Sequence, residues 1–171
     1  SNGDSLWTQK FGASEDDYCI SVQQTTDDGY IITGWTDRNG LDVYLIKTDG
    51  NGIEQWNNTF GLTGYQMGLC VQQTSDGGFI ISGTTALPNV AGPSDALLIK
   101  TDGNGDEEWS QTLGGQGYDK GYSVQQTSDG GYIITGFTGS FGSINGEDVT
   151  ETDVALASSS TVQRFQSIYG E

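Results

Sequence analysis

The chain has 171 residues, enough for one domain with a sizeable core, and holds 27 Gly, 2 Pro, 1 Met and no His. Its 23 acidic and 6 basic residues give a net charge of −17, a surface that repels nucleic acid and anionic membranes and attracts cations, basic proteins or neutral sugars. No segment approaches the ~20 apolar residues that cross a bilayer, so no membrane insertion is expected. Without His, the usual general base and the Ser-His and Cys-His pairs are missing, which argues against an enzyme.

The chain opens Ser1-Asn2-Gly3, without Met, as a mature or trimmed product would. A Trp-led segment follows, from Trp7 to Phe11-Gly12. Next come Val22-Gln23-Gln24-Thr25, the turn Thr26-Asp27-Asp28-Gly29 and the run Tyr30-Ile31-Ile32-Thr33-Gly34. A third run, Asp42-Val43-Tyr44-Leu45-Ile46-Lys47-Thr48-Asp49, leads through Gly50-Asn51-Gly52 to Trp56 and Phe60-Gly61.

The order then repeats. Val71-Gln72-Gln73-Thr74, Ser75-Asp76-Gly77-Gly78 and Phe79-Ile80-Ile81-Ser82-Gly83 precede Asp95-Ala96-Leu97-Leu98-Ile99-Lys100-Thr101-Asp102, Gly103-Asn104-Gly105, and Trp109 to Leu113-Gly114. It begins a third time with Val124-Gln125-Gln126-Thr127, Ser128-Asp129-Gly130-Gly131 and Tyr132-Ile133-Ile134-Thr135-Gly136, then decays. The steps from Val22 to Val71 and from Val71 to Val124 are 49 and 53 residues, the excess falling in the loop Ala86 to Ser94, where insertion costs little. In the third copy, Asp153-Val154-Ala155-Leu156 stands in for the third run, with Asp148-Val149 at the offset of repeat two. Phe165 to Tyr169-Gly170 echoes Trp7 to Phe11-Gly12.

Each copy reads as four short antiparallel strands: runs rich in Val, Ile, Thr, Tyr and Trp, separated by Asp-Gly, Gly-Gly and Asn-Gly turns. No helical periodicity lasts a dozen residues. A sheet with one wet face alternates apolar and polar residues. Runs such as Val43-Tyr44-Leu45-Ile46 are apolar on both parities, so both faces must be covered. Four strands per ~40–50 residues, stacked face to face, is the spacing of β-propeller blades. The expected fold is all-β: three four-stranded antiparallel blades in one domain, with residues 1–12 as an extra outer strand and blades at 13–61, 62–114 and 115–171, degenerate after 136. Closed propellers use ~4–8 blades, so three leave an incomplete ring.

Thr48-Asp49-Gly50-Asn51-Gly52 before Trp56, and Thr101-Asp102-Gly103-Asn104-Gly105 before Trp109, resemble the tryptophan-docking blades of quinoprotein-type propellers. The fuller pattern resembles repeats of bacterial and archaeal secreted or surface proteins. The resemblance covers about residues 6–140. It implies that the third and fourth strands join at the Asp–Gly turn, that Trp56 and Trp109 dock on the following blade, and a location outside the cell or on its surface. It implies no chemistry, and nothing supports a bound quinone.

Trp7, Trp56 and Trp109 recur with the repeat and read as blade docking, sugar stacking being the alternative. Trp35 breaks the pattern, since Thr84 and Phe137 replace it. Asp102, Asn104 and Asp106 place oxygen donors at alternate positions, as calcium requires, while the equivalent turn has Ile53 for Asp106; a turn-stabilising Asp102 is the plainer reading. Asp27, Asp76 and Asp129 read as turn caps without chemistry. One Gln of each pair faces the neighbouring blade or the channel. Asn57-Asn58-Thr59 is a glycosylation sequon at Asn57.

Cys19 aligns with Gly68 and Cys70 with Ser21. With no Cys-x-x-Cys or Cys/His cluster, buried free thiols are expected rather than zinc or redox chemistry, and a disulfide between neighbouring strands stays open.

The favoured function is a structural module, extracellular or at the cell surface, that forms a homo-oligomer or polymer through blade faces or terminal strands, as a ring or a filament. No cofactor is expected unless calcium binds. The alternatives are a calcium- or glycan-binding adhesion module using loops such as 86–94 and 139–152, and a fragment of a larger propeller protein.

Overall fold

The computed structural model describes residues 7–12, 16–37, 40–61, 64–86 and 93–139, and the backbone of 154–157. Among them are eleven strands and no helix. β1 (Asp17–Gln24), β2 (Tyr30–Asp37), β3 (Leu41–Thr48) and β4 (Glu54–Phe60) form an antiparallel meander, sheet 1. β5 (Tyr65–Gln73), β6 (Phe79–Ala86), β7 (Ser94–Thr101) and β8 (Glu107–Leu113) repeat it as sheet 2. β9 (Asp119–Gln126) and β10 (Tyr132–Thr138) begin sheet 3, and the short β11 (Val154–Ala157) pairs with β10 where β3 and β7 pair in the other sheets. Of the two sites weighed for that strand, the one at 153–156 is nearly the one used.

The turns follow from residue chemistry. In each β1–β2-type hairpin the Thr amide donates to the carbonyl of the closing Gly at 2.9 Å, at Thr25, Thr74 and Thr127. The residue before that Gly is left-handed: Gly77 at φ 87°, Gly130 at 85°, and Asp28 at 66°, a non-Gly residue in a region that suits Gly.

The middle sheet is apolar on both parities because both of its faces are covered. Val71, Phe79, Ile81, Leu97 and Ile99 pack against Ile31, Val43 and Leu45 of sheet 1, with Trp56 and Phe60 at the margin. The alternate residues Ile80 and Leu98 pack against Val124, Tyr132 and Ile134 of sheet 3. Three sheets therefore stack in series, with one core on each side of sheet 2.

Three details differ from the sequence reading. Residues 7–12 form no strand, though Trp7 is well placed against sheet 1. Cys19 is exposed and Cys70 half-buried, and both thiols are free, so the expected burial fails at Cys19, which lies on edge strand β1. Every first strand also carries a register shift, after Cys19, after Gly68 and opposite Thr135–Gly136, that the runs alone do not reveal. The stretch 140–153 and the echo at 165–170 lie outside the described residues.

Candidate functional site

The residues singled out by the repeat converge on the junctions between sheets. Trp7 meets Tyr30, Trp56 meets Phe79 and Trp109 meets Tyr132, each with ring centroids 5.8 Å apart and planes tilted 59–62°. Edge-on contact of this kind adds about 1 kcal/mol to the area buried. Each Trp thus contacts the second strand of the next sheet.

The same indoles cover the next Asp-Gly-Asn-Gly turn. A Cβ on Gly52 would sit 2.7 Å from the Trp7 ring, and one on Gly105 2.6 Å from the Trp56 ring. Asn58 adds a hydrogen bond from its Nδ2 to the Gly105 carbonyl at 2.8 Å. Only glycine admits an indole this closely while also taking a positive φ.

That places Asp102, Asn104 and Asp106. Asp102 Oδ1 accepts the amides of Asn104 (2.8 Å) and Asp106 (2.9 Å), and Oδ2 accepts Asn104 Nδ2 at 3.1 Å. These backbone and side-chain donors hold the Asp102 carboxyl below its usual range, the Asp106 amide most strongly. Asp49 accepts the amides of Asn51 and Ile53 in the same way, although Ile53 replaces the third oxygen donor. The bonding is therefore complete as a turn, and among the described residues no three His, Cys, Asp or Glu side chains converge on a metal position.

A pair of lysines, which the sequence reading passed over, ties the strands within sheets 1 and 2. Lys47 and Lys100 are buried, 5% and 2% exposed. Lys47 Nζ donates to Asp27 at 2.8 and 3.0 Å, to the Thr48 carbonyl at 2.8 Å and to Gln55 at 3.2 Å. Lys100 Nζ donates to the Thr101 carbonyl at 2.8 Å and pairs with Glu108 at 2.9 Å and Asp76 at 3.0 Å. Burial opposes the charge on Lys100, and Glu108 with Asp76 outweigh it, so its ammonium is held above the ordinary value. The Lys47 ammonium and the Thr25 hydroxyl hold the Asp27 carboxyl down at about 2. The Thr74 hydroxyl, the Gly78 amide and Lys100 do the same for Asp76. Asp129 keeps its Thr127 and Gly131 donors, which lower it, but Leu156 stands at the register position of Lys47. The signal was present in the paired Ile-Lys-Thr-Asp runs, whose lysine sits opposite an apolar residue in the middle of a sheet.

The glutamines bond across the junctions. Gln23 Oε1 accepts the Gln73 amide at 2.6 Å, Gln73 Oε1 accepts the Thr26 amide at 2.9 Å, and Gln126 Oε1 accepts the Ser75 amide at 2.8 Å. Ser21 Oγ accepts the Val71 amide at 3.3 Å.

The other candidates lie apart. Trp35 stacks on Tyr18 at 5.0 Å and 22° within sheet 1. Asn57 is exposed on edge strand β4, its Nδ2 donating to Glu54 at 2.5 Å. Asp119 is buried and accepts the Thr138 hydroxyl and, at 3.3 Å, the Gly115 amide. Desolvation, then the nearby Asp119 charge, raises Asp95. Partial desolvation and Asp17 raise the Cys19 thiol. A cleft of about 260 Å³ between the outer strands of sheets 1 and 2 is lined by Phe60, Gln66, Leu97, Glu107, Ser110 and Gln111 among others.

No family model and no curated protein sequence matches the chain. The site is thus characterised by its own geometry: a repeated sheet-docking device of Trp, Gly-turn and Gln contacts, with a Lys–Asp pair inside each of the first two sheets.

Proposed function

We propose that this chain is a structural module built of three consecutive β-propeller blades, which works outside the cell or on its surface and self-associates through blade faces or terminal strands. The observation that carries this reading is the repetition of one docking device from sheet to sheet, with a Trp, a glycine turn and a Gln amide at corresponding places. A device that joins each sheet to the next has no internal reason to stop at three. Sheets with open apolar faces and edges are association sites. The contacts are packing and hydrogen bonds, which supports a structural role over catalysis. The acidity, the Gly, Thr and Asn content, and an Asn57 sequon exposed on an edge strand support the extracellular placement. Light scattering from about 1 to 100 µM, the range in which weak self-association registers, tests the reading. Growth in mass with concentration is expected, and a monomer throughout would refute it.

A second reading rests on the cleft between sheets 1 and 2. Gln66 is buried, donates its Nε2 to Thr85 at 3.1 Å, and has no partner for Oε1 among the described residues. An unpaired amide oxygen beside Phe60, Ser110 and Gln111 suits a neutral polyhydroxylated ligand such as a glycan. A glycan array followed by Gln66→Leu tests it: binding that the substitution abolishes supports an adhesion module, and an array without hits removes it.

A further inference from the structure

We infer that the outward face of sheet 1 is the receptor for the outward face of sheet 3 in a second copy of the chain, so that copies join head to tail. This rests on the self-association reading and adds its orientation and contacts.

One valine position recurs in three environments. Val22, Val71 and Val124 are equivalent by sequence and by register, opposite Ile32, Ile81 and Ile134. Val71 and Val124 face the preceding sheet and are 2% and 1% exposed, while Val22 is 63% exposed. Gln73 and Gln126, two positions on, reach back to the preceding hairpin, while their equivalent Gln24 is exposed. The β3 half of that face is already closed, since Tyr44 and Ile46 are buried and Trp7 covers Tyr30. What remains open is the β1–β2 strip.

The far side of sheet 3 shows the complementary deficit. Thr33 and Ser82 face the following sheet and are fully buried, while the equivalent Thr135 is exposed. Ile31 and Ile80 are buried, while Ile133 is half-buried. Ser123 and Gln125, equivalent to Ser21 and Gln23, are exposed.

The open strip of sheet 1 and the far side of sheet 3 also carry the residues that bond at the junction of sheets 1 and 2. In the observed junction of sheets 1 and 2, Ser21 Oγ takes the Val71 amide, Gln23 Oε1 takes the Gln73 amide, and the Thr26 amide goes to Gln73 Oε1. Sheet 3 presents the same set in Ser123, Gln125 and the Ser128 amide, and the sheet 1 of a second copy presents Val22 and Gln24. The join would therefore place Ser123 Oγ on the Val22 amide, Gln125 Oε1 on the Gln24 amide, and Gln24 Oε1 on the Ser128 amide. Such a contact is heterologous: it closes into a ring when the rotation allows and otherwise extends into a filament.

The test is site-directed cross-linking in a Cys19→Ser, Cys70→Ser background with a short bis-maleimide. Gln73→Cys with Thr26→Cys is the intrachain control, since that contact is observed. Gln24→Cys and Ser128→Cys chains are then mixed. Covalent dimers are expected in the mixture and in neither chain alone. Dimers from Gln24→Cys alone would show face-to-face pairing and overturn the inference. Val22→Asp, at an exposed position that leaves the monomer folded by circular dichroism, is expected to weaken association at least tenfold in light scattering. Association that survives Val22→Asp unchanged overturns the head-to-tail contact while leaving self-association standing. A parent chain that stays monomeric overturns both.

Discussion

Lys47 and Lys100 carry an ammonium into an otherwise apolar row, and each is held by an Asp from the hairpin of its own sheet. The aspartates are more than half exposed, so solvent screens the pairs and each contributes only about 1 kcal/mol. The third repeat supplies an internal control, because Asp129 has the same hydroxyl and amide donors with Leu156 at the lysine's register. Asp76→Asn is therefore expected to lower stability by about 1 kcal/mol, and Asp129→Asn by less, as read from urea midpoints. Equal losses would mean that the lysine adds nothing. The pH dependence has two opposing parts. Asp27 and Asp76 sit at about 2, below the ordinary 3.8, so their stabilisation is present above pH 3.8 and lost as pH falls towards 2. Desolvation raises Asp42 and Asp95, so ionising them costs stability as pH rises through and above their ordinary value. Self-repulsion from the net charge of −17 acts in the same direction as that cost. The urea midpoint is thus expected to peak in mild acid, near pH ~4–5, and to decline on both sides. A maximum at or above pH 7 would contradict this balance.

At the scale of elements, the first and second strands of each repeat are locked by a glycine. A Cβ on Gly34, Gly83 or Gly136 would lie 1.7–1.9 Å from the carbonyl oxygen of Tyr18, Met67 or Lys120. Those carbonyls sit beside the register shift in the first strand, where the bulged chain leans over its partner. Gly83→Ala is expected to cost more than about 3 kcal/mol, because the obstructing atom is backbone in the central sheet. Gly77→Ala, left-handed but in open space, should cost only about 1 kcal/mol. Thermal melts of the two variants decide it, and comparable losses would rule the bulge out as the cause. The sequence made the strands and hairpins legible, because Val-Gln-Gln-Thr, Ser-Asp-Gly-Gly and Tyr-Ile-Ile announce a strand, a turn and a strand in turn. It also pointed to the role of Trp56 and Trp109, since an indole recurring with a glycine turn implies a packing partner. The bulge was hidden because Thr33-Gly34 reads equally well as a strand end. The Lys–Asp pair was hidden because its members lie 20 and 24 residues apart and meet only once three strands are paired. Trp35 gave no period to reason from, and its stacking on Tyr18 depends on pairing across β1 and β2.

At the scale of the whole molecule, one valine measures how far the stacking extends. Val22, Val71 and Val124 share chemistry, strand position and cross-strand neighbour, and differ only in whether a sheet lies over them. Removing two buried methyl groups costs about 2 kcal/mol, from lost transfer free energy plus the cavity left behind. Val71→Ala and Val124→Ala are therefore each expected to lower stability by about that amount at any protein concentration. Val22→Ala should behave differently. At low concentration, where single copies prevail, its valine faces water and the substitution should change the urea midpoint by less than about 0.5 kcal/mol. At high concentration, association buries Val22 as the internal junctions bury Val71, and linkage adds stability that Val22→Ala should forfeit. The stability gap between Val22→Ala and the parent chain should thus open as concentration rises, while the gaps for the other two variants stay fixed. A gap at Val22 that is already about 2 kcal/mol in dilute solution would mean that the chain covers this strip by itself, and the outward face of sheet 1 would then be no receptor at all.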